Sequence, residues 1–298
     1  MSAGAANDKD FKASPVSIRR AAPADAEACG RICFEAFHSI ATAHGFPPDI
    51  PSPQVATGVL YSFFSHPGFY SVVAESGGRI LGSNCLDERN PIAGIGPITV
   101  DPSAQNHNVG RQLMHAVLDR VAEKKFLGTR LVQAAFHNRS LSLYTKLGFA
   151  AREPLSCVQG PPIGRKIAGY VVRPAHKDDL AACHALCVRV HGHDRSGELR
   201  DGIASGSAVV AERDGSIAAY AASMAFFGYG VARHNEAMMA LIAAAPAFAG
   251  PGILIPTRNA ELFCWCLESG LRVVQPMTLM SIGLYNEPTG AWFASVTY

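Results

Sequence analysis

The stretch ITVDPSAQNHNVGRQLM, Ile98–Met114, decides how this chain is read. Ile98–Val100 ends an apolar strand, Asp101-Pro102 turns the chain, and the apolar spacing from Val109 onward is that of an amphipathic helix. The first N–H groups of a helix have no intrahelical partner and carry the positive end of its dipole. A strand–loop–helix junction of this kind therefore suits an anion such as a phosphate or pyrophosphate. Gly110, which has no Cβ, permits close approach, and Arg111 adds a guanidinium in the same turn.

On the C-terminal side of this junction, Arg130–Phe136 reads as a buried strand. Arg139–Leu147 reads as a helix closed by Gly148, and a further strand is expected near Arg152–Val158. On the N-terminal side, Val16–Arg20 reads as a strand and Ala24–Phe37 as an amphipathic helix with Pro23 near its start. Gln54–Phe64 is a second helix, and the alternating runs Val72–Glu75 and Arg79–Leu86 are joined by the hairpin turn Ser76-Gly77-Gly78.

The plan then repeats. IRRAAPADAEACGRIC (Ile18–Cys33) returns as VRPAHKDDLAACHALC (Val172–Cys187), so that Arg19 aligns with Arg173, Asp25 with Asp179, Cys29 with Cys183 and Cys33 with Cys187. VVAESGGRI (Val72–Ile80) returns as VVAERDGSI (Val209–Ile217), and Asn138…Gly148 is echoed by Asn259…Gly270. Ordered matches of this kind mark a duplicated unit. The expected fold is α+β, an α/β sandwich with a mixed central sheet flanked by helices, written twice. A disordered tail over 1–15 is followed by domains at 16–160 and 165–298, joined through the turn-rich QGPPIG (Gln159–Gly164).

The order strand, Gln105-(x)4-Gly110-Arg111, helix, strand, then Asn138-(x)5-Tyr144-(x)3-Gly148-Phe149 resembles the GCN5-related N-acetyltransferase (GNAT) superfamily. The resemblance covers Val16–Val158, and the second half matches in plan only. It implies two tandem acyl-CoA N-acyltransferase-like domains and acetyl-CoA as cosubstrate. In the family the loop Q/R-x-x-G-x-G/A cradles the CoA pyrophosphate. Gln105, Asn108 and Gly110 hold its three fixed positions here, with Asn106, Val109 and Arg111 completing the cofactor loop. Asn108 departs from the family's glycine, and asparagine tolerates left-handed backbone better than most residues.

By the same resemblance, Ile98, Thr99 and Val100 offer backbone groups to the pantetheine arm, and Asn138 holds that arm or the reacting end. Tyr144 is the general acid for the departing thiolate; a phenol titrating near 10 suits a thiol near 8.5. The second half has no such loop in GYGVARHN (Gly228–Asn235), and its tyrosine position reads Trp265 or Cys266. One cofactor site per chain is expected.

Acetylation of an amine needs the neutral nitrogen, hence a base. The strand GIGPITV carries no carboxylate, so Asp87 and Glu88 at the end of the hairpin are the candidates, with His137 weaker. Cys85, on a buried strand, is read as inert rather than as a nucleophile. The cleft between the copies, lined by parts of 34–46, 63–69, 87–91 and 226–229, is expected to shape the acceptor site for a small or medium amine.

A net charge of +2 gives no ground for a nucleic-acid or membrane-surface partner. Eight cysteines without a CxxC pair read as reduced thiols of a cytoplasmic protein rather than as metal ligands. The apolar run from Ala237 to Pro256 is interrupted by Pro246, Gly250, Pro251 and Gly252, which argues against a membrane span. The protein is expected to act as a monomer or homodimer on acetyl-CoA and an amine acceptor. The alternative is a non-catalytic acyl-CoA-binding or protein-interaction module.

Overall fold

The computed structural model describes residues 15–298, so the tail expected over 1–15 lies, apart from Pro15, outside the described residues. In the first copy β1 (Ser17–Arg20), β2 (Phe69–Ser76), β3 (Arg79–Asp87) and β4 (Ile92–Val100) run antiparallel, and β5 (Gly128–Ala134) lies parallel to β4. Alternation along β2 separates two cores. Val73 faces α1 (Ala26–Ala43) and α2 (Pro53–Ser65), together with Cys29, Leu60 and Cys85. Val72 and Ala74 face α3 (Val109–Glu123) and α4 (Asn138–Lys146), together with Leu113, Leu131 and Tyr144. Local chemistry sets the ends: the Ser52 side chain accepts from Val55 N–H at the start of α2, and the hairpin turn places Gly77 and Gly78 at positive φ.

The second copy repeats these details. After β6 (Ala150–Gln159) the chain enters β7 (Val171–Pro174), α5 (Leu180–His191), α6 (Ser196–Ser205), β8 (Val209–Arg213) and β9 (Ser216–Ala221). Arg19 pairs with Asp25 and Glu75 in the first copy, and Arg173 pairs with Asp179 and Glu212 in the second. A bulge interrupts β2–β3 between Ala74 and Glu75 and β8–β9 between Ala211 and Glu212. Shared bulges are inherited features rather than packing accidents, so the repeat read from sequence is a structural duplication.

The copies are not separate sheets. The remaining elements are β10 (Gly230–Ala232), α7 (Asn235–Ala244), β11 (Ile253–Pro256), α8 (Ala260–Glu268), β12 (Arg272–Gly283) and β13 (Ala291–Phe293). An eight-stranded sheet runs β1-β2-β3-β4-β5-β12-β6-β11, and a five-stranded one runs β13-β10-β9-β8-β7. Strand β12 of the second half is inserted between β5 and β6 of the first, antiparallel to both. Each half thus gives the strand after its last helix to a shared seam. Met280 of β12 enters the first-copy core, while Met277 and Leu279 pack with Leu155, Cys157, Leu254 and Tyr298 between the halves. Among the described residues no helix is long and apolar enough to cross a membrane, and the 237–256 run is α7, a turn and β11.

Candidate active site

Strands β4 and β5 pair only through Ile92, Ala93 and Gly94, opposite Gly128, Thr129 and Arg130. Beyond Gly94 they part. A register shift against β3, between Asn84 and Leu86, marks where β4 bends. The opening leads into a cavity of about 890 Å³ that reaches α1, the junction before α3, the start of α4 and the second half.

Ile98, Thr99, Val100, Gln105, Asn106, Asn108, Val109, Gly110 and Arg111 all line this cavity. Asn106 and Asn108 adopt left-handed backbone, with φ of 71° and 64°, a conformation asparagine reaches at low cost. Asn108 is the N-cap residue just before α3, and its side chain makes no capping hydrogen bond. A Cβ on Gly110 would meet Val100 and Leu143 at 3.6 and 3.8 Å, ordinary contact distances. The protein's own packing therefore does not demand glycine here; the empty space belongs to the cavity. Arg139 steadies the loop by donating to Gln105 Oε1 at 3.0 Å and Asn106 Oδ1 at 2.9 Å. With Arg111 and Lys146 it contributes cationic side chains to the lining.

Acetyl-CoA, the cosubstrate the family implies, is an elongated anion with amide groups along its arm, and these residues fit it. The start of the fifteen-residue α3, flanked by guanidinium groups, suits a pyrophosphate. Farther in, Thr99 Oγ1 and both polar atoms of the Gln133 amide are buried without a partner among the described residues, while their own residues line the cavity. Buried polar groups without partners are costly, and an amide-bearing ligand is one way to satisfy them.

Tyr144 reaches the cavity from α4 and is otherwise buried. Gly148, at φ of 97°, closes the helix, and the Phe149 ring meets Tyr144 edge-on at 6.1 Å, which holds the phenol in place. Burial pushes the Tyr144 hydroxyl up to about 12, opposed by a hydrogen bond with Ser140, whose hydroxyl also bonds His137 Nδ1. The same burial pushes the Cys85 and Cys157 thiols up to about 12. Burial, with Arg139 and His44 adding to it, also lowers His137, which favours the neutral ring.

Other expected residues lie elsewhere. Asn138 is the exposed first residue of α4 and does not line the cavity; its neighbours His137, Arg139 and Ser140 do. Asp87 and Glu88 do not line it either. Asp87 is paired with Arg89, which also holds Asp201 at 2.7 Å, and Glu88 takes Arg120 at 2.7 Å. Asn90 bonds Glu198 and Gly197 N–H, so the segment 87–90 clamps the two halves together. Of the expected acceptor lining, Ala36, Phe37, Ser39, Ile40, Ala43, Phe226 and Phe227 face the cavity, whereas 63–69 and 87–91 do not.

Sequence reasoning missed Asp49. It lines the cavity from the connection between α1 and α2, and burial raises its carboxyl to about 6. Gln275 of β12 donates to its Oδ1. The one signal in the sequence is a single carboxylate in a stiff apolar run, Phe46-Pro47-Pro48-Asp49-Ile50-Pro51.

The second copy lacks the opening. Its short β10 pairs with β13, and Ala294 bridges onward to Leu254 of β11, so the C-terminal segment fills the gap that stays open between β4 and β5. Cys266 is fully buried, and Asn259 caps α8 by accepting from Leu262 N–H. Among the described residues no cluster of His, Cys, Asp and Glu is placed to hold a metal ion.

Residues 34–149 match the family model described as the Acetyltransferase (GNAT) family. Mycothiol acetyltransferase of Nocardia farcinica is 32% identical over 102 residues, 33% of this chain and 34% of the relative, so the match spans about a third of that protein's length. An acetyltransferase-assigned structure from Pyrococcus horikoshii superposes with a TM-score of 0.71 at 18% identity, covering 94% of this chain and 93% of the other. A tandem GNAT protein from the clavulanic acid biosynthesis pathway gives 0.55 at 15% identity, covering 90% and 98%. These full-length likenesses show the fold, and the family match falls on the half that carries the cavity's loop and phenol. Residues 34–149 of the first half thus match the Acetyltransferase (GNAT) family, and the chain as a whole shares the fold of these two structures.

Proposed function

We propose that the protein is an acetyl-CoA-dependent N-acetyltransferase that acts on a small or medium amine by direct attack on the thioester, without an acyl-enzyme. One observation carries this reading: the left-handed Asn106–Asn108 loop before α3 and the phenol of Tyr144 open onto the same cavity, with the parted β4 and β5 between them.

In this mechanism the start of α3 with Arg111 and Arg139 holds the pyrophosphate, and β4 beyond Gly94 offers backbone groups to the arm. When bound, the cosubstrate supplies an activated acetyl carbonyl and a thiolate leaving group. Backbone N–H groups of the parted strand would stabilise the negative charge that grows on that carbonyl oxygen. Tyr144 donates its proton to the departing sulfur, and Ser140, bonded to both Tyr144 and His137, orders that hydroxyl. Buried thiols such as Cys85, raised by desolvation, are poor nucleophiles, which supports direct transfer.

Calorimetric titration with acetyl-CoA tests the reading. Near one molecule bound per chain is expected, with binding abolished in Gly110→Trp, where an indole would fill the space before α3. In Tyr144→Phe, binding should persist while acetyl transfer falls about 10²-fold. Binding with no transfer to any amine by the unmodified protein would leave a non-catalytic acyl-CoA module instead.

A further inference from the structure

Charge is unevenly distributed in the cavity. Arg111, Arg139 and Lys146 stand about the loop before α3 and along α4, whereas Asp49 is the single carboxylate that the described residues contribute to the lining. It enters from the opposite side of the sheet, on the connection between α1 and α2. That connection is held in place: Phe46 stacks on Phe136 at 4.3 Å with planes 8° apart, and Ile50 is buried. No cation pairs with Asp49 among the described residues, where its hydrogen-bond partner is the neutral amide of Gln275. The surrounding lining is apolar, from Phe37 and Ile40 of α1 to Phe226 and Met277 of the second half. A carboxylate held on a fixed loop, facing a cavity and lacking a cation, is one whose counter-charge is to come from outside.

We propose that Asp49 is the acceptor-side base and that the acceptor is a primary amine borne on an apolar alkyl or aryl body. The inference rests on the acetyl-transfer reading above and adds to it the base and the substrate class. Asp49 takes one proton from the ammonium, and the freed nitrogen forms the new C–N bond as the C–S bond breaks. Tyr144 gives its proton to the departing sulfur. The proton that nitrogen loses on becoming an amide restores Tyr144 through Ser140, and the proton on Asp49 leaves to solvent with the product. Charge balances, since one ammonium proton is released per turnover.

The remaining chemistry narrows the acceptor. One carboxylate neutralises one ammonium, so a second cation of a polyamine would sit unpaired against Phe37, Ile40 and Met277. An acceptor with its own carboxylate beside the nitrogen would face Asp49, while the cationic side chains lie toward the pyrophosphate end. The titratable groups coupled to Asp49 are the Cys33 thiol of α1 and the Cys157 thiol of β6, both raised by burial and hence neutral. His137, also in the lining, is lowered toward neutrality. A carboxyl near 6 is ionised at pH 7 yet more basic than an exposed one.

The test uses the full chain, acetyl-CoA and phenethylamine, hexylamine, spermidine or lysine, with thiol release as the readout. Phenethylamine and hexylamine should be preferred at least tenfold in kcat/KM over spermidine and lysine. For phenethylamine, kcat/KM should rise through an apparent pKa near 6. In Asp49→Asn that limb should vanish. Transfer at pH 7 should fall about 10²–10³-fold and recover about tenfold per pH unit as free amine accumulates, because only the small neutral fraction then reacts. Acetyl-CoA binding by calorimetry should be unchanged, which shows that the variant is folded. A wild-type pH profile in Asp49→Asn overturns the base assignment, and a preference for spermidine or lysine overturns the substrate class. If the unmodified protein binds no acetyl-CoA or acetylates none of the four, the acetyl-transfer reading itself fails.

Discussion

Separating the halves at Gly160 should leave neither able to fold alone. The reason lies in β12, which pairs with β5 from Met277–Ala134 to Gly283–Gly128 and with β6 along its other edge. A fragment of residues 15–160 would lose this central strand, and two long edges would open in the middle of its sheet. It would also lose the packing of Met277, Leu279 and Met280, which are 3%, 1% and 0% exposed. Burying side chains of this size contributes about 1.5–3 kcal/mol each, so the loss is on the order of 5–9 kcal/mol. Domain stabilities run to about 5–15 kcal/mol, so the strand's removal alone is comparable to the whole stability of a domain in the lower part of that range. The Arg89–Asp201 and Asn90–Glu198 links go with it. The expected outcome is an aggregating 15–160 fragment, rescued when residues 161–298 are co-expressed and co-purified with it. Circular dichroism on heating and calorimetry with acetyl-CoA provide the check. A monomeric 15–160 fragment that melts cooperatively within a few degrees of the full chain and binds acetyl-CoA would refute the shared-seam argument.

Arg139→Ala should weaken acetyl-CoA binding roughly fivefold to tenfold while leaving thermal stability nearly unchanged, since it removes two hydrogen bonds to an exposed loop and one cation near the pyrophosphate. Unchanged affinity by titration would show that the loop keeps its shape without that side chain. Stability should fall as pH drops from about 6.5 toward 4. Burial, with Arg130 nearby, holds the His193 ring down to about 4 in the folded protein, whereas the unfolded chain takes up a proton near 6.5. The neutral ring accepts from Tyr298 Oη at 2.8 Å, so His193 contributes fully above pH 6.5 and progressively less below it, by at most about 3 kcal/mol. His193→Gln should flatten that part of a Tm-against-pH curve, with a residual slope from His191, also lowered by burial. Parallel curves for the two proteins would remove His193 from the account.

Local structure was legible wherever short-range chemistry decides it. The hairpin at Gly77-Gly78, the loop before α3 and the helix end at Gly148 each depend on backbone freedom that the residue type announces. The duplication was legible too, because Arg19–Asp25–Glu75 and Arg173–Asp179–Glu212 hold one ion-pair arrangement in both copies. Strand partnership was not legible. Nothing in RVVQPMTLMSIG (Arg272–Gly283) names β5 and β6 as its neighbours, since an alternating strand satisfies any edge of matching polarity. The same gap hid the fate of Asp87 and Glu88. A run such as DERN reads as a solvated turn or a carboxylate pair until Arg120 and Asp201 arrive from distant parts of the chain. Asn138 shows the finer limit: the residue on either side of it lines the cavity, and a one-residue step around a helix start separates lining from surface.

The second copy shows why a half that lacks the proposed cofactor loop stays bound to one that has it. Its β13 closes the gap where a second cosubstrate would enter, and its core is otherwise continuous, from Val231 and Tyr229 on one side to Met238 and Leu262 on the other. What it supplies lies outside its own sheet. Strand β12 completes the first copy's sheet, Gln275 on that strand holds Asp49, and Phe226, Phe227, Val296 and Thr297 line the far end of the cavity. A single GNAT-like unit ending at Gln159 would have the proposed pyrophosphate loop and Tyr144 but would leave the proposed acceptor side open, with Asp49 solvated and its carboxyl returned toward an ordinary acidity. If that account holds, Gln275→Ala acts on the acceptor and not on the cosubstrate. Loss of the amide donor removes the one interaction that opposes burial of the carboxylate, so the Asp49 pKa rises and the low-pH limb of kcat/KM moves to higher pH. Acetyl-CoA affinity stays where it was. A shift in acetyl-CoA affinity with no movement of that limb would place Gln275, and with it the second copy's contribution, at the wrong end of the cavity.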